Sequence, residues 1–251
     1  MTNMFVIIPT GAKDGAMLRH CLDTLRRAAD GITLRIVIVL CPSDSAKIDT
    51  VRSVMDGTEE LITLPAPFSF ARSNNAALDR LRDESAILLL NDDCFFRKKS
   101  DLRRLTDMMS RKHLACIGPR IHNLAFAGEL PRERRAWFGV TRSPFPLVGA
   151  CLLIDRAWLD TIGRFDEDFS GYGMEEADLL YRMLEKGGRW ARYDRVQVDH
   201  LHHATVGGTI KEEEPHLRNL ARWAEKYPGV HSWGGSAQWH RNLQTQRNHS
   251  I

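Results

Sequence analysis

Within the first 118 residues, short apolar runs alternate with amphipathic segments, and this alternation admits few architectures. Met4–Pro9, Leu34–Leu40, Glu60–Leu64, Ala86–Leu90 and Leu114–Ile117 read as strands. Between them, Asp14–Ala29 carries helical spacing through Met17, Leu18, Cys21, Leu22 and Leu25. Ser45–Met55 is a weaker helix, Ser69 reads as the N-cap of a helix ending near Asp83, and Ser100 as the cap of one running to Lys112. Strands that are apolar throughout are buried on both faces, and helices between them cover those faces. The expectation is an α/β fold: one Rossmann-like domain with a central, mostly parallel mixed sheet flanked by helices.

The second half is less regular. Residues 119–146 hold several Pro, Gly and Arg residues and read as loops with short strands. Leu147–Ile154 is a strand, Asp155 caps a short helix, and Glu175–Lys186 is a helix. Trp190–Tyr193 and Val196–Asp199 read as two short strands, and Pro215–Tyr227 as a helix with Pro in its first turn. No internal repeat or linker divides the chain, so residues 1–227 are expected to form one domain and residues 228–251 a tail. With 43% hydrophobic and 27% charged residues, the composition excludes a disordered chain. The net charge of +3 tolerates an anionic ligand without demanding nucleic acid. Five scattered cysteines with no CxxC pair fit a reducing compartment rather than a disulfide framework. The longest apolar stretch, LVGACLLI, falls far short of the ~20 residues of a membrane helix. A cytoplasmic protein is expected, with no transmembrane segment and at most a peripheral membrane contact.

Four stretches carry chemistry. AILLLNDDCFF, residues 86–96, takes a buried strand straight into Asn91, Asp92 and Asp93. Adjacent carboxylates repel, and desolvating them is costly unless a cation lies between them. At the carboxyl end of a parallel strand, where α/β folds bind ligands, these oxygens suit Mg2+ or Mn2+ and a bridged diphosphate. Spacing alone fits a solvated strand end equally well. In FSFARSNNAALDRL, residues 68–81, Asn74 and Asn75 lie within an apolar helix face, either as satisfied structural amides or as a hydrogen-bonding wall, with Arg72 available for phosphate. In FSGYGMEEADLLYRMLEKGG, residues 169–188, a glycine turn opens a helix. Glu176 shares the face of Leu179 and Leu180, Glu175 lies to one side, and Asp178 can pair with Arg182. Acids in a first helical turn are ordinarily dipole partners; an inward one after a glycine turn is a candidate general base. In VQVDHLHHATVGG, residues 196–208, His200, His202 and His203 follow a strand, and imidazole would favour Mn2+ over Mg2+.

Together these stretches resemble the family 2 glycosyltransferases of GT-A fold, over roughly residues 4–227. The likeness rests on FVIIPT, FSFARSNNAAL, LLLNDDCFF in the place of the family's DxD motif, GACLLIDRAWLDTIGRFDEDFSGYGMEEADLLYRM, and the closing VDHLHH. It implies inverting transfer of a sugar from a nucleoside-diphosphate sugar to an acceptor hydroxyl, with Mn2+ or Mg2+ as cofactor. Asp93, with His200 or His202, would hold the metal. Asn91 and Asp92 would lie by the ribose and metal shell, and Pro9, Arg72, Asn74 and Asn75 would line the nucleotide side. Glu176 would be the base and Glu175 would orient the acceptor. Residues 1–118 would form the nucleotide-sugar half and 119–227 the acceptor half. VIVLCPSDS lacks the acid the family commonly carries after its second strand, and the base position holds Glu where Asp is more usual.

A glycan or glycolipid is the expected acceptor. Arg132, Arg134, Arg135 and Trp137 form a basic–aromatic cluster that keeps nucleic acid as an alternative acceptor. The other alternative is a nucleotide-sugar-binding module without catalysis. The sequence names neither the sugar nor the oligomeric state.

Overall fold

The computed structural model describes residues 3–123, 140–141, 147–171, 173–201 and 213–230. They form one mixed sheet with helices on both faces. The elements are β1 (Asn3–Thr10), α1 (Gly15–Ala28), β2 (Thr33–Leu40), α2 (Ser45–Arg52), β3 (Glu60–Thr63), α3 (Phe70–Leu78), β4 (Ala86–Leu90) and β5 (Cys94–Phe96). They continue with α4 (Asp101–Lys112), β6 (Cys116–Asn123), β7 (Val140–Thr141), β8 (Cys151–Asp155), α5 (Arg156–Ile162), α6 (Glu175–Glu185), β9 (Trp190–His200) and α7 (Glu213–Lys226).

The strand order is β3-β2-β1-β4-β8-β6-β9-β5, with β7 also on β9. Strands β1–β4 are mutually parallel, and β6 and β9 run the same way. Only β5, β7 and β8 run against them. The chain winds outward from β1 through β2 to β3, then returns to β4 on the other side of β1. The carboxyl ends of β1 and β4 therefore flank a topological switch point, where open α/β sheets bind ligands.

Side-chain alternation builds two cores. Met4, Val6 and Ile8 of β1 face α1 and α4, while Phe5 and Ile7 face α3 and α6. In α1, the Asp14 side chain accepts from Ala16 N and Met17 N at the start, and Leu18, Leu22 and Leu25 are fully buried. Each such leucine contributes roughly 1.5–3 kcal/mol.

Several expected boundaries move, each for a local reason. α3 stops at Leu78 rather than near Asp83, because Arg35 Nη1 donates to Arg80 O at 2.6 Å and Glu84 takes Arg82 N at 2.8 Å. Leu147–Ala150 is a turn, not the start of a strand; Asn91 N donates to Ala150 O at 2.8 Å and β8 begins at Cys151. The two short strands expected near the end are one, β9, in which Pro119 pairs with Tyr193 and Arg120 with Gln197, so Asp194–Val196 bulge out. Ser100 precedes α4 without a side-chain cap; Asp101 instead accepts from Lys98 N at 2.9 Å. No described helix is long and apolar enough to cross a membrane.

Candidate active site

At the carboxyl edge of β1 and β4 the chain gathers polar groups that its cores exclude. Cys94 N donates to Asn91 O at 3.1 Å, closing a turn that sends β5 back and holds Asp92 and Asp93 at its apex. Thr10, the last residue of β1, donates its hydroxyl to Asp92 Oδ2 at 2.5 Å and accepts from Ala12 N at 2.9 Å. Leu201 N donates to Asp93 O at 3.1 Å, tying the end of β9 to the same turn. His200 Nε2 lies 3.2 Å from Asp93 Oδ1. Both aspartates are only 2% exposed, and Asp93 Oδ1 accepts no hydrogen bond. A cation beside the Asp93–His200 pair would satisfy this buried oxygen, which His200 approaches without a hydrogen bond. The oxygen of Asp93, the sulfur of Cys94 and a nitrogen of His200 all lie within 4.8 Å of one another. These residues fit a divalent cation. Asn91 is half-buried at the rim.

The second cluster opens α6. Met174, in the left-handed region at φ 78°, turns the chain into the helix, and no side chain caps it. Glu175 and Glu176 therefore occupy a first turn whose N–H groups are open to them. Glu175 is 1% exposed; the backbone N–H groups of Glu175 and Gly173 lie on its carboxylate's side and ease its charge, and its Oε1 has no hydrogen-bond partner. Glu176 is half-buried, and the backbone N–H groups of Glu176 and Gly149 partly ease its charge. A Cβ at Gly149 would lie 3.4 Å from Glu176 Cβ, Glu176 Cδ and Phe70 Cζ, so the turn before β8 stands next to the Glu176 side chain. Since Ala150 in that turn bonds Asn91, one short segment touches both Glu176 and the residue that opens the Asp92–Asp93 turn. Burial raises both glutamates above the ordinary carboxylate range, and the Glu176 charge raises Glu175 further. The helical spacing assigned the inward position to Glu176; the structure gives it to Glu175 and leaves Glu176 partly open. This first turn packs against loops rather than against the sheet.

Residues distant in sequence hold this pair. Asn219 of α7 donates from Nδ2 to Ser170 O at 3.0 Å and Gly173 O at 2.8 Å, and its Oδ1 accepts from Ser170 N at 3.1 Å. Asp178 pairs with Arg182 at 2.9 Å, as the spacing predicts, and also accepts from Lys226 Nζ and Tyr227 OH, each at 2.7 Å. It is a fully buried anchor for α7.

Other expected site residues have structural partners. Asn75 donates to Phe165 O at 2.9 Å and Glu167 Oε1 at 2.8 Å and accepts from Phe165 N at 3.1 Å, clamping the turn before α6. Asn74 is fully buried and donates to Phe70 O at 2.9 Å. Arg72 Nη2 donates to Pro65 O at 2.6 Å, to Pro67 O and to Cys41 Sγ at 3.4 Å. It knits together the loops after β2 and β3 at the carboxyl edge. Pro9 is buried one residue before Thr10. His202, His203 and the Arg132–Trp137 cluster lie outside the described residues. Thr10, Gly149 and Asn219 are the polar and backbone contributors that sequence reasoning did not single out. The first two stand inside quoted motifs, whereas Asn219 carries no local signal.

The comparisons with known proteins follow the same geometry. A family model described as the N-terminal domain of galactosyltransferase matches residues 141–204, the segment that carries Gly149, Glu175, Glu176 and His200. Among solved structures, the mannosyltransferase PcManGT from Pyrobaculum calidifontis, in complex with GDP-Man and Mn2+, superposes with a TM-score of 0.68 at 15% identity, covering 97% of this chain and 68% of that one. GalNAc-T7 with UDP, GalNAc and Mn2+ superposes with a TM-score of 0.67 at 14% identity, covering 98% of this chain and 54% of that one. The chain thus spans about half the length of the second structure. No curated protein matches the sequence. The chain is a single α/β domain of GT-A-like fold, the fold it shares with the matched part of each of these two proteins.

Proposed function

We propose that the protein is a metal-dependent, inverting glycosyltransferase that moves a sugar from a nucleoside-diphosphate sugar to an acceptor hydroxyl. The observation that carries this reading is that one turn at the switch point touches both the strand leading to the buried Asp93–His200 pair and a pair of glutamates, one buried and one half-open, whose carboxyls are raised above their ordinary range. The likeness to a mannosyltransferase and a GalNAc transferase, both with Mn2+ bound, supports it. Asp93 and His200 would hold Mn2+ or Mg2+, with Asp92 kept in place by Thr10. Such an ion would neutralise the nucleoside diphosphate as it departs. Glu176, half-open beside Gly149, would take the proton of the acceptor hydroxyl, whose oxygen attacks the anomeric carbon from the face opposite the leaving group. Glu175, deeper and unpartnered at Oε1, would orient the acceptor. Residues 1–118 would hold the donor and 119–227 the acceptor, a glycan or glycolipid.

The test is donor hydrolysis and transfer with a panel of nucleoside-diphosphate sugars, with and without Mn2+. Turnover that is lost in excess chelator and in Asp93→Ala is the expected result. Binding of a nucleoside diphosphate with Mn2+, but no turnover with any donor, would mark a binding module instead. Turnover undiminished by chelator would remove the metal from the mechanism.

A further inference from the structure

Cys94 lies in a position that the catalytic reading does not use. It begins β5, and in the antiparallel β5–β9 ladder it stands directly opposite His200. Residues opposite one another across a ladder project from the same face. Asp93, its neighbour in sequence, brings a carboxylate to 3.2 Å from His200 Nε2. The three donor atoms, oxygen, nitrogen and sulfur, fall within 4.8 Å of one another, and all three residues are buried. A divalent ion bonds nitrogen and oxygen at about 2.0–2.2 Å and thiolate at about 2.3 Å, so small side-chain adjustments let one ion reach all three.

We propose that Cys94 is a third protein ligand to the cation at Asp93 and His200, giving an oxygen–nitrogen–sulfur donor set that prefers Co2+ and Zn2+ to Mg2+. On binding, the Cys94 S–H bond breaks, a metal–sulfur bond forms, and the proton passes to water. Hard Mg2+ gains little from sulfur, whereas ions later in the first transition row gain more. Coordination positions that these three residues do not take would be available to diphosphate oxygens. The inference rests on the cation-dependent reading above, but its readout needs no turnover, so the two can fail separately.

The experiment is titration of the full chain with Co2+, followed by absorbance. Thiolate coordination gives a near-ultraviolet sulfur-to-cobalt charge-transfer band, expected to grow to one equivalent per chain and to be displaced by Zn2+ but not by Mg2+. The four other cysteines are free and buried, so Cys116→Ser, on the other face of the sheet, is the control and should keep the band. Cys94→Ser should lose it and bind Co2+ at least about tenfold more weakly, the lower end of what losing even an outer-shell partner costs. Co2+ saturation of the unsubstituted protein without the band overturns the proposal, and needs no variant to fold. Failure of Co2+ to bind, or a band that survives Cys94→Ser, overturns it equally. Sugar transfer with Mn2+ but no thiolate band would leave the glycosyltransferase reading standing and remove Cys94 from the metal.

Discussion

Glu175 and Glu176 are adjacent but differ in what surrounds them. Glu176 lies against the Gly149 turn and keeps an open side, whereas Glu175 is sealed in with one oxygen unpartnered. If Glu176 is the base, Glu176→Gln should lower turnover by about 10²–10⁴-fold with donor affinity little changed. Because burial raises its pKa, the carboxylate forms only above the ordinary glutamate range. The acid limb of kcat/KM should therefore lie above that range and persist in Glu175→Gln, since burial is the largest cause of the Glu176 shift. Collapse of turnover in Glu175→Gln with normal turnover in Glu176→Gln would exchange the roles. Stability gives a second reading of the pair. The folded protein holds these protons more tightly than the unfolded chain, so stability falls as pH rises through the raised values. Glu175→Gln should raise Tm at neutral pH, and the gain should vanish at pH near 4 and below, where wild-type glutamates are protonated in both states (reference about 4.3). An unchanged or lower neutral-pH Tm would contradict the burial argument. The acid pair itself was legible in the sequence. Which acid is buried was not, because a helical wheel assumes a uniform neighbour, and this turn faces the 147–150 segment on one side and the α7-clamped turn on the other.

At the scale of elements, the first turn of α6 is set by α7. Asn219 forms three hydrogen bonds to backbone groups of Ser170 and Gly173, 46 to 49 residues away. Asn219→Leu orphans those groups, and each buried one costs about 1–3 kcal/mol. The variant should lose at least that much stability in urea unfolding. Its turnover should fall more than its Co2+ or Mn2+ affinity, because the Asp93–His200 pair hangs on β4 and β9 instead. Equal loss of both, in the folded variant, would show that α7 supports the whole edge rather than the acid pair. The helical spacing of α7 could be read from its apolar positions, but the Asn219 clamp could not, since its partners are backbone atoms of a distant turn. β5 escaped for a related reason. Three residues are too few to display a period, and the strand exists because β9 offers it a ladder. Conversely, LVGACLLI looked like one strand, yet Asn91 takes the Ala150 carbonyl and turns its first half into a loop over the site.

Across the whole molecule, the alternating first half and the α/β class followed directly from periodicity, because strands buried on both faces leave a continuous apolar run. The antiparallel β4–β8 pairing then fuses the two halves into one sheet. Heat should accordingly unfold the chain in one transition. All six tryptophans lie beyond residue 136, so fluorescence reports the second half while far-ultraviolet circular dichroism reports the whole. Coincident curves are expected, and separated midpoints would show that the halves melt independently. A nucleoside diphosphate with Mn2+ should shift both curves together, by about 2.7 kcal/mol at a hundred times its Kd. The borders of that sheet have a further consequence. One side ends in β3, four residues long, where Arg35 pairs with Glu60 at 2.7 Å. On the other side, β9 is screened by the three residues of β5 and the two of β7, with Arg97 bonded to Asp199 beside them. Among the described residues, an incoming strand from another copy meets a short, charged ledge at either border, with little consecutive free backbone to register against. Borders of this kind disfavour the edge-to-edge pairing by which a wide, strongly apolar sheet grows into a ribbon of many chains.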